Sequence, residues 1–266
     1  MRKQHILVDK ARRVAGWLLR RPVVVRLRQR FPQTTSFIAN RLHTGRFVGL
    51  PLTLIILTAL LNMMLLSNLA ESVVEAEWVV QVDKKFNILL YGIRSEGLSQ
   101  ALYTVTWLGD RQAVFVLGGL ATAVLLFRRQ WFSIVAYWLA MGGVGLSVRF
   151  GKTIISRARP QQDMAYYLVD HFSFPSGHAT TSLVLIGMLA YLLYRHLQAA
   201  WQRRLVVALA LLLIGLVGFS RMYLGVHYLS DVVAGYLLGI LWLLVGISLV
   251  EVLEYNRRRH DNLPLP

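Results

Sequence analysis

The chain contains no cysteine among its 266 residues. That excludes disulfides, a thiolate nucleophile and any cysteine-ligated metal, and it leaves the redox compartment unread. Carboxylates are scarce as well: 13 Asp and Glu stand against 29 Lys and Arg, a formal net charge of +16. They form no cluster suited to Mg²⁺. Polar faces are missing too. A soluble domain of this length carries them on most of its elements, whereas here the apolar residues, 56% of the chain, gather in long blocks. Such blocks read as a multi-span membrane protein. No fixed-period repeat or low-complexity segment interrupts them.

The basic excess is uneven. Twelve of the 29 Lys and Arg precede residue 47. Basic residues beside a membrane span meet anionic lipid headgroups more readily than nucleic acid, so the tail is expected to contact anionic lipids and no nucleic acid. This tail does not resemble a cleaved signal peptide, because its basic region is too long and Arg20, Arg21 and Pro22 break its short apolar pieces. It reads as a cytoplasmic, partly amphipathic segment on the membrane surface.

Six apolar blocks follow, at residues 47–69, 112–127, 131–148, 178–194, 205–219 and 232–250. A spanning helix needs about 20 residues; the second and fifth blocks are short by that measure, and both can extend into mixed flanks, such as residues 103–109 before the second. Continuous rather than alternating apolarity selects helix over barrel strand. The expected fold is therefore an all-α integral membrane protein with six transmembrane helices. Its expected divisions are a tail at 1–46, one domain at 47–250 and a short basic tail at 251–266. With the N-terminus in the cytoplasm, twenty Lys and Arg fall inside and nine outside. Five of those nine lie at 149–159 and 221, at the outer ends of spans. Charges that oppose the topology rule in this way point to function.

Three segments share that outer face: KTIISRARP at 152–160, FPSGH at 174–178 and SRMYLGVHYLSD at 220–231. Lys152, Arg159 and Arg221 offer fixed positive charge and many donors, matched to phosphoryl oxygens. Pro160 holds Arg159 in extended backbone, within a loop. Ser176 and Gly177 at a helix start expose backbone N–H groups to an anion, aided by the helix dipole. His178 sits beside them. His227 and Asp231, four apart, are read as sharing a helix face, so that the carboxylate holds one ring nitrogen and the other is free to attack. Each feature alone has an ordinary explanation: a snorkelling lysine, a loop arginine, a helix cap, a structural His–Asp pair. Their convergence on one face favours a site for a tetrahedral anion, with the active site at the outer ends of the helices.

These segments resemble the signature of the type 2 phosphatidic acid phosphatase superfamily: Lys, six residues, Arg-Pro; Pro-Ser-Gly-His; and Ser-Arg, five residues, His, three residues, Asp. Lys152, Arg159-Pro160, Pro175 to His178, Ser220-Arg221, His227 and Asp231 match every position and spacing. The resemblance implies that His227 forms a phosphohistidine, Asp231 orients it, and His178 protonates the leaving oxygen. It implies that Lys152, Arg159, Ser176, Gly177 and Arg221 bind the phosphoryl group without metal or other cofactor. Soluble vanadium haloperoxidases share the superfamily, and the six spans argue against that branch. Arg157, Tyr166, Tyr167 and His171 are expected as entrance or headgroup contacts, and Gly109-Asp110 as a helix cap.

The expected activity is hydrolysis of a lipid phosphate or pyrophosphate whose chain stays in the bilayer. Undecaprenyl pyrophosphate, phosphatidylglycerol phosphate, phosphatidic acid and diacylglycerol pyrophosphate are the candidates. Phosphotransfer to another lipid, or lipid-phosphate transport or binding without catalysis, are the alternatives. The expected location is a bacterial inner membrane, with both termini cytoplasmic and the active site periplasmic.

Overall fold

A computed structural model of the protein describes residues 26, 29–42 and 47–260. The apolar pieces expected near residues 14–19 and 23–25, and residues 261–266 of the expected C-terminal tail, lie outside the described residues. Two compact units divide at Leu54. In the first, helix α1 (Pro32–Arg41) starts on a proline, which loses no hydrogen bond at that position. Helix α2 (Leu50–Val74) begins in this unit and continues into the second, Ile55–Pro266.

The second unit continues with α3 (Trp78–Gly92), α4 (Glu96–Thr106), α5 (Arg111–Phe127), α6 (Trp131–Ile155), α7 (Gly177–Tyr194), α8 (Ala200–Tyr223) and α9 (Leu229–His260). Five of these helices, α2, α6, α7, α8 and α9, are long and apolar enough to cross a membrane. α4 and α5, bent by 56° at Gly109 and Asp110, meet the same test when taken together as one broken span, which brings the number to six. The expected extension of the second block into 103–109 is thus present, as a separate short helix set at an angle. Asp110 causes the break: its carboxylate caps the N–H of Arg111 at 2.6 Å and starts a new helix. The apolar blocks also underestimate the helices. α8 begins at Ala200, and α9 runs on through the basic residues after 250.

α7 is the central helix, packed against α6, α8 and α9. Ala136, Tyr137, Ala140 and Val144 of α6 meet Val184, Leu185 and Met188 of α7 in the main core. Small residues let the helix backbones close up, as membrane helix packing requires. By contrast, only 6% of the apolar window of α2 is buried, so its surface suits lipid. The antiparallel run of α6, α7, α8 and α9 gathers the end of α6, the start of α7, the end of α8 and the start of α9 at one end of the bundle.

Candidate active site

That end brings together the three sequence segments. α6 delivers Lys152 in its last turn, and Ser156 stops the helix in a left-handed conformation, φ 50°. The cap reverses the chain and aims 157–160 back across the helix end. Lys152 Nζ donates to the Phe172 carbonyl at 2.8 Å. Arg159 donates from Nε to the His171 carbonyl at 2.8 Å and from Nη1 to the Val226 carbonyl at 2.6 Å. Backbone carbonyls therefore hold both cations. His171 adopts φ 73°, left-handed for a residue with a side chain, at a cost of about 1–2 kcal/mol. That conformation presents its carbonyl to Arg159.

α7 starts at Gly177, with Ser176 as its buried N-cap accepting from the Ala179 N–H at 3.5 Å. His178 sits in its first turn, against Gly109 of the bent pair. A Cβ at Gly109 would come within 2.7 Å of the His178 carbonyl oxygen, so glycine is required there. His178 feels the charges of Arg221, Lys152 and Arg159, and the His227 ring.

The chain between α8 and α9 carries the rest. Gly225 has φ 71°, and a side chain there would strike the Met164 carbonyl and Arg94. His227 precedes α9, so it is not on the helix face that the four-residue spacing suggests. Instead Asp231, in the first turn, reaches back to the Tyr228 N–H at 2.9 Å, as a capping carboxylate does. The same oxygen, Oδ2, lies 3.4 Å from His227 Nδ1. His227 Nε2 lies 3.3 Å from Arg159 Nη1. A guanidinium can only donate, so Nε2 accepts and the ring proton sits on Nδ1, facing Asp231. Burial, with Arg221, Arg159 and Lys152, pushes the His227 pKa well below its ordinary 6.5, outweighing the Ser173 carbonyl. The imidazole is neutral, with its lone pair turned to the cations.

Arg221 is 2% exposed. It donates to Thr106 Oγ1 at 2.9 Å and to the Tyr167 hydroxyl. No carboxylate pairs with it among the described residues, and its Nε has no hydrogen-bond partner there.

Arg157 differs from its expected place at the entrance. It lies inward, donating to Asp231 Oδ1 at 2.6 Å and to Asp83 Oδ2 at 2.7 Å. Burial opposes its charge, but Asp231 and Asp83 hold its pKa above the ordinary guanidinium value. Asp83, 1% exposed on α3, also accepts from the N–H of Ser230 at 2.9 Å and from its hydroxyl. Asp83 belongs to none of the three motif segments. Its signal is a carboxylate on the buried stripe Val79, Asp83, Asn87, Leu90. Of the other expected entrance residues, Tyr167 supports Arg221, Tyr166 donates to Glu96 at 2.7 Å, and the exposed His171 contributes its carbonyl. Among the described residues no group of three or more His, Cys, Asp or Glu could hold a metal.

Bundle and site together define a multi-pass helical membrane enzyme. Residues 113–254 match the PAP2 superfamily. Phosphatidylglycerophosphatase B of Bacillus subtilis (strain 168) is 33% identical over 151 residues, covering 56% of this chain and 73% of that protein. Lipid A 4'-phosphatase of Porphyromonas gingivalis is 23% identical over 210 residues, 69% of this chain and 78% of that protein. Among solved structures, the transmembrane PAP2-type phosphatidylglycerolphosphate phosphatase from Bacillus subtilis superposes with a TM-score of 0.67 at 28% identity, covering 76% of this chain and 98% of that one. Aquifex aeolicus LpxE, with a TM-score of 0.52 at 22% identity over 62% of this chain and 94% of its own, shares the fold. The chain belongs to the PAP2 superfamily, as a membrane phosphatase.

Proposed function

We propose that the protein hydrolyses a lipid phosphate or pyrophosphate, without metal, through a phosphohistidine at His227. The observation that carries this reading is Arg221. A buried cation without a counter-ion is costly, by several kcal/mol, and one with a spare Nε is set to receive an anion.

In the first step Nε2 of His227 bonds to phosphorus and the bond to the leaving oxygen breaks, that oxygen taking a proton from His178, which enters the step as an imidazolium paired with the bound phosphate dianion. Water then attacks the phosphohistidine and passes a proton to His178, which frees phosphate and restores both rings. Lys152, Arg159, Arg221, Ser176 and the Gly177 N–H hold the phosphoryl oxygens as their charge grows. Asp231 keeps the Nδ1 proton in place. Arg157 and Asp83 are positioning residues, which fix the Asp231 carboxylate by its other oxygen.

A lipid substrate is supported by a largely apolar cavity of about 350 Å³ beside this network, lined by Leu69, Trp78, Val79, Val82, Asp83 and Ser230 among others. It would take part of the chain of undecaprenyl pyrophosphate, phosphatidylglycerol phosphate, phosphatidic acid or diacylglycerol pyrophosphate. The phosphatase body would span residues 47–250, with basic tails at 1–46 and 251–266 on the cytoplasmic side of a bacterial inner membrane and the site on the periplasmic side. The N-terminal tail would rest on anionic lipid.

The test is phosphate release from a detergent-solubilised panel of these lipids, with acid-labile phosphoprotein trapped by rapid quench. His227→Ala is expected to lose both turnover and the trapped phosphate while staying folded. Undiminished turnover would sink the nucleophile assignment. Turnover lost in EDTA would replace the metal-free reading.

A further inference from the structure

The far end of the bundle holds a second basic site. A cavity of about 490 Å³ lies between the α5–α6 turn and the last turns of α9, lined by Arg128, Arg129, Arg257, Arg258 and Ser133, with Glu254 the only acidic residue among the described residues that line it. Glu254 is already committed to Arg195 at 2.9 Å. Arg128, Arg129 and Arg258 pair with no carboxylate among the described residues.

Two further features turn this patch into a socket. α6 starts at the cavity without a side-chain cap and without an acidic residue in its first turn, so its first N–H groups lack a side-chain acceptor among the described residues. Ser133, in that turn, is 1% exposed, and its hydroxyl has no hydrogen-bond partner among the described residues. An orphaned buried hydroxyl costs about 1–3 kcal/mol. Arginine forks, free helix N–H groups and a spare hydroxyl share one complement, a phosphate-type anion.

The surroundings favour a lipid as its carrier. Phe127, 91% exposed, and Trp131, 57% exposed, flank the arginines. Aromatic side chains beside basic ones mark the headgroup level of a bilayer. α9, with 32 residues, is about 48 Å long, so its arginine-bearing end passes beyond a hydrocarbon core of about 30 Å. We propose that this cavity binds the phosphate of an anionic phospholipid headgroup, at the membrane face opposite the catalytic centre.

The test measures thermal unfolding of the purified full-length protein in neutral detergent. Arg221→Gln is the background throughout, so that the catalytic centre takes up no anion. Phosphatidylglycerol, a phosphodiester, is titrated against phosphatidylcholine and against inorganic phosphate. Phosphatidylglycerol is expected to raise Tm saturably, and phosphatidylcholine is not. In Arg128→Gln/Arg258→Gln, half-saturation should need about thirtyfold more phosphatidylglycerol, from the loss of two charges near the surface. Hydrolysis of a short-chain phosphomonoester by the same double variant with Arg221 intact should stay unchanged. Ser133→Ala, a smaller change that leaves the charges in place, should weaken binding severalfold. An equal rise with inorganic phosphate would support the anion socket and assign it to a soluble ligand. Equal responses to both lipids, or an unchanged half-saturation in both variants, would overturn the proposal. Because the readout is binding, loss of the His227 reading would leave it standing.

Discussion

His227 turns Nε2 toward Arg159 and Nδ1 toward Asp231, so its two nitrogens have different tasks. Replacing it with alanine should lower turnover on the order of 10³-fold or more, read as phosphate release from solubilised lipid. Its depressed pKa also has a consequence for stability. In the unfolded chain the imidazole takes a proton near pH 6.5, whereas the folded one resists until lower pH. Stability from this group is therefore complete above pH 6.5. It falls as pH drops toward the lowered native value, by up to about 1.4 kcal/mol per pH unit. The Tm difference between the wild type and His227→Asn should narrow over that acid window. Arg221 gives a second prediction. Vanadate should raise the Tm of the wild type, and the rise should vanish in Arg221→Gln, whose side chain can still hydrogen-bond Thr106 but lacks the charge.

Among elements, α3 and α9 meet through Arg157, between Asp83 and Asp231. Asp83→Asn should lower kcat more than it raises KM, because it disturbs Asp231 without touching substrate. Arg157→Lys should recover part of the activity lost in Arg157→Gln. A double-mutant cycle on Asp83 and Arg157 should be strongly non-additive, since both act on one carboxylate. This link is where the sequence was least legible. Asp83 and Ser230 are 147 residues apart, and no local spacing joins them. The three motif segments were legible because each is short and fixed to a helix end. The His227–Asp231 contact was foreseen from helical periodicity, yet a capping carboxylate brings it about. The bend at Asp110 was hidden because hydropathy averages over a change of direction.

For the whole molecule, long apolar blocks gave the helical membrane class directly, while helix ends were misjudged wherever polar residues continue a helix, as in α9. Sidedness is open to a clean experiment because the chain has no cysteine. Single cysteines at exposed Leu168, beside the catalytic centre, and at exposed Arg129, at the other end, should react with a membrane-impermeant maleimide from opposite sides of intact cells. Leu168→Cys is expected to label from outside. Labelling of Arg129→Cys from outside instead would reverse the proposed orientation.

Lys152 and Arg159 are held by the carbonyls of His171, Phe172 and Val226. A carbonyl fixes a cation without cancelling it, whereas a carboxylate would have spent the field on itself. The field offered to a substrate is therefore also offered to the released phosphate ion. Inorganic phosphate should inhibit competitively, and turnover at high substrate should be governed by how fast the product escapes its own binding site.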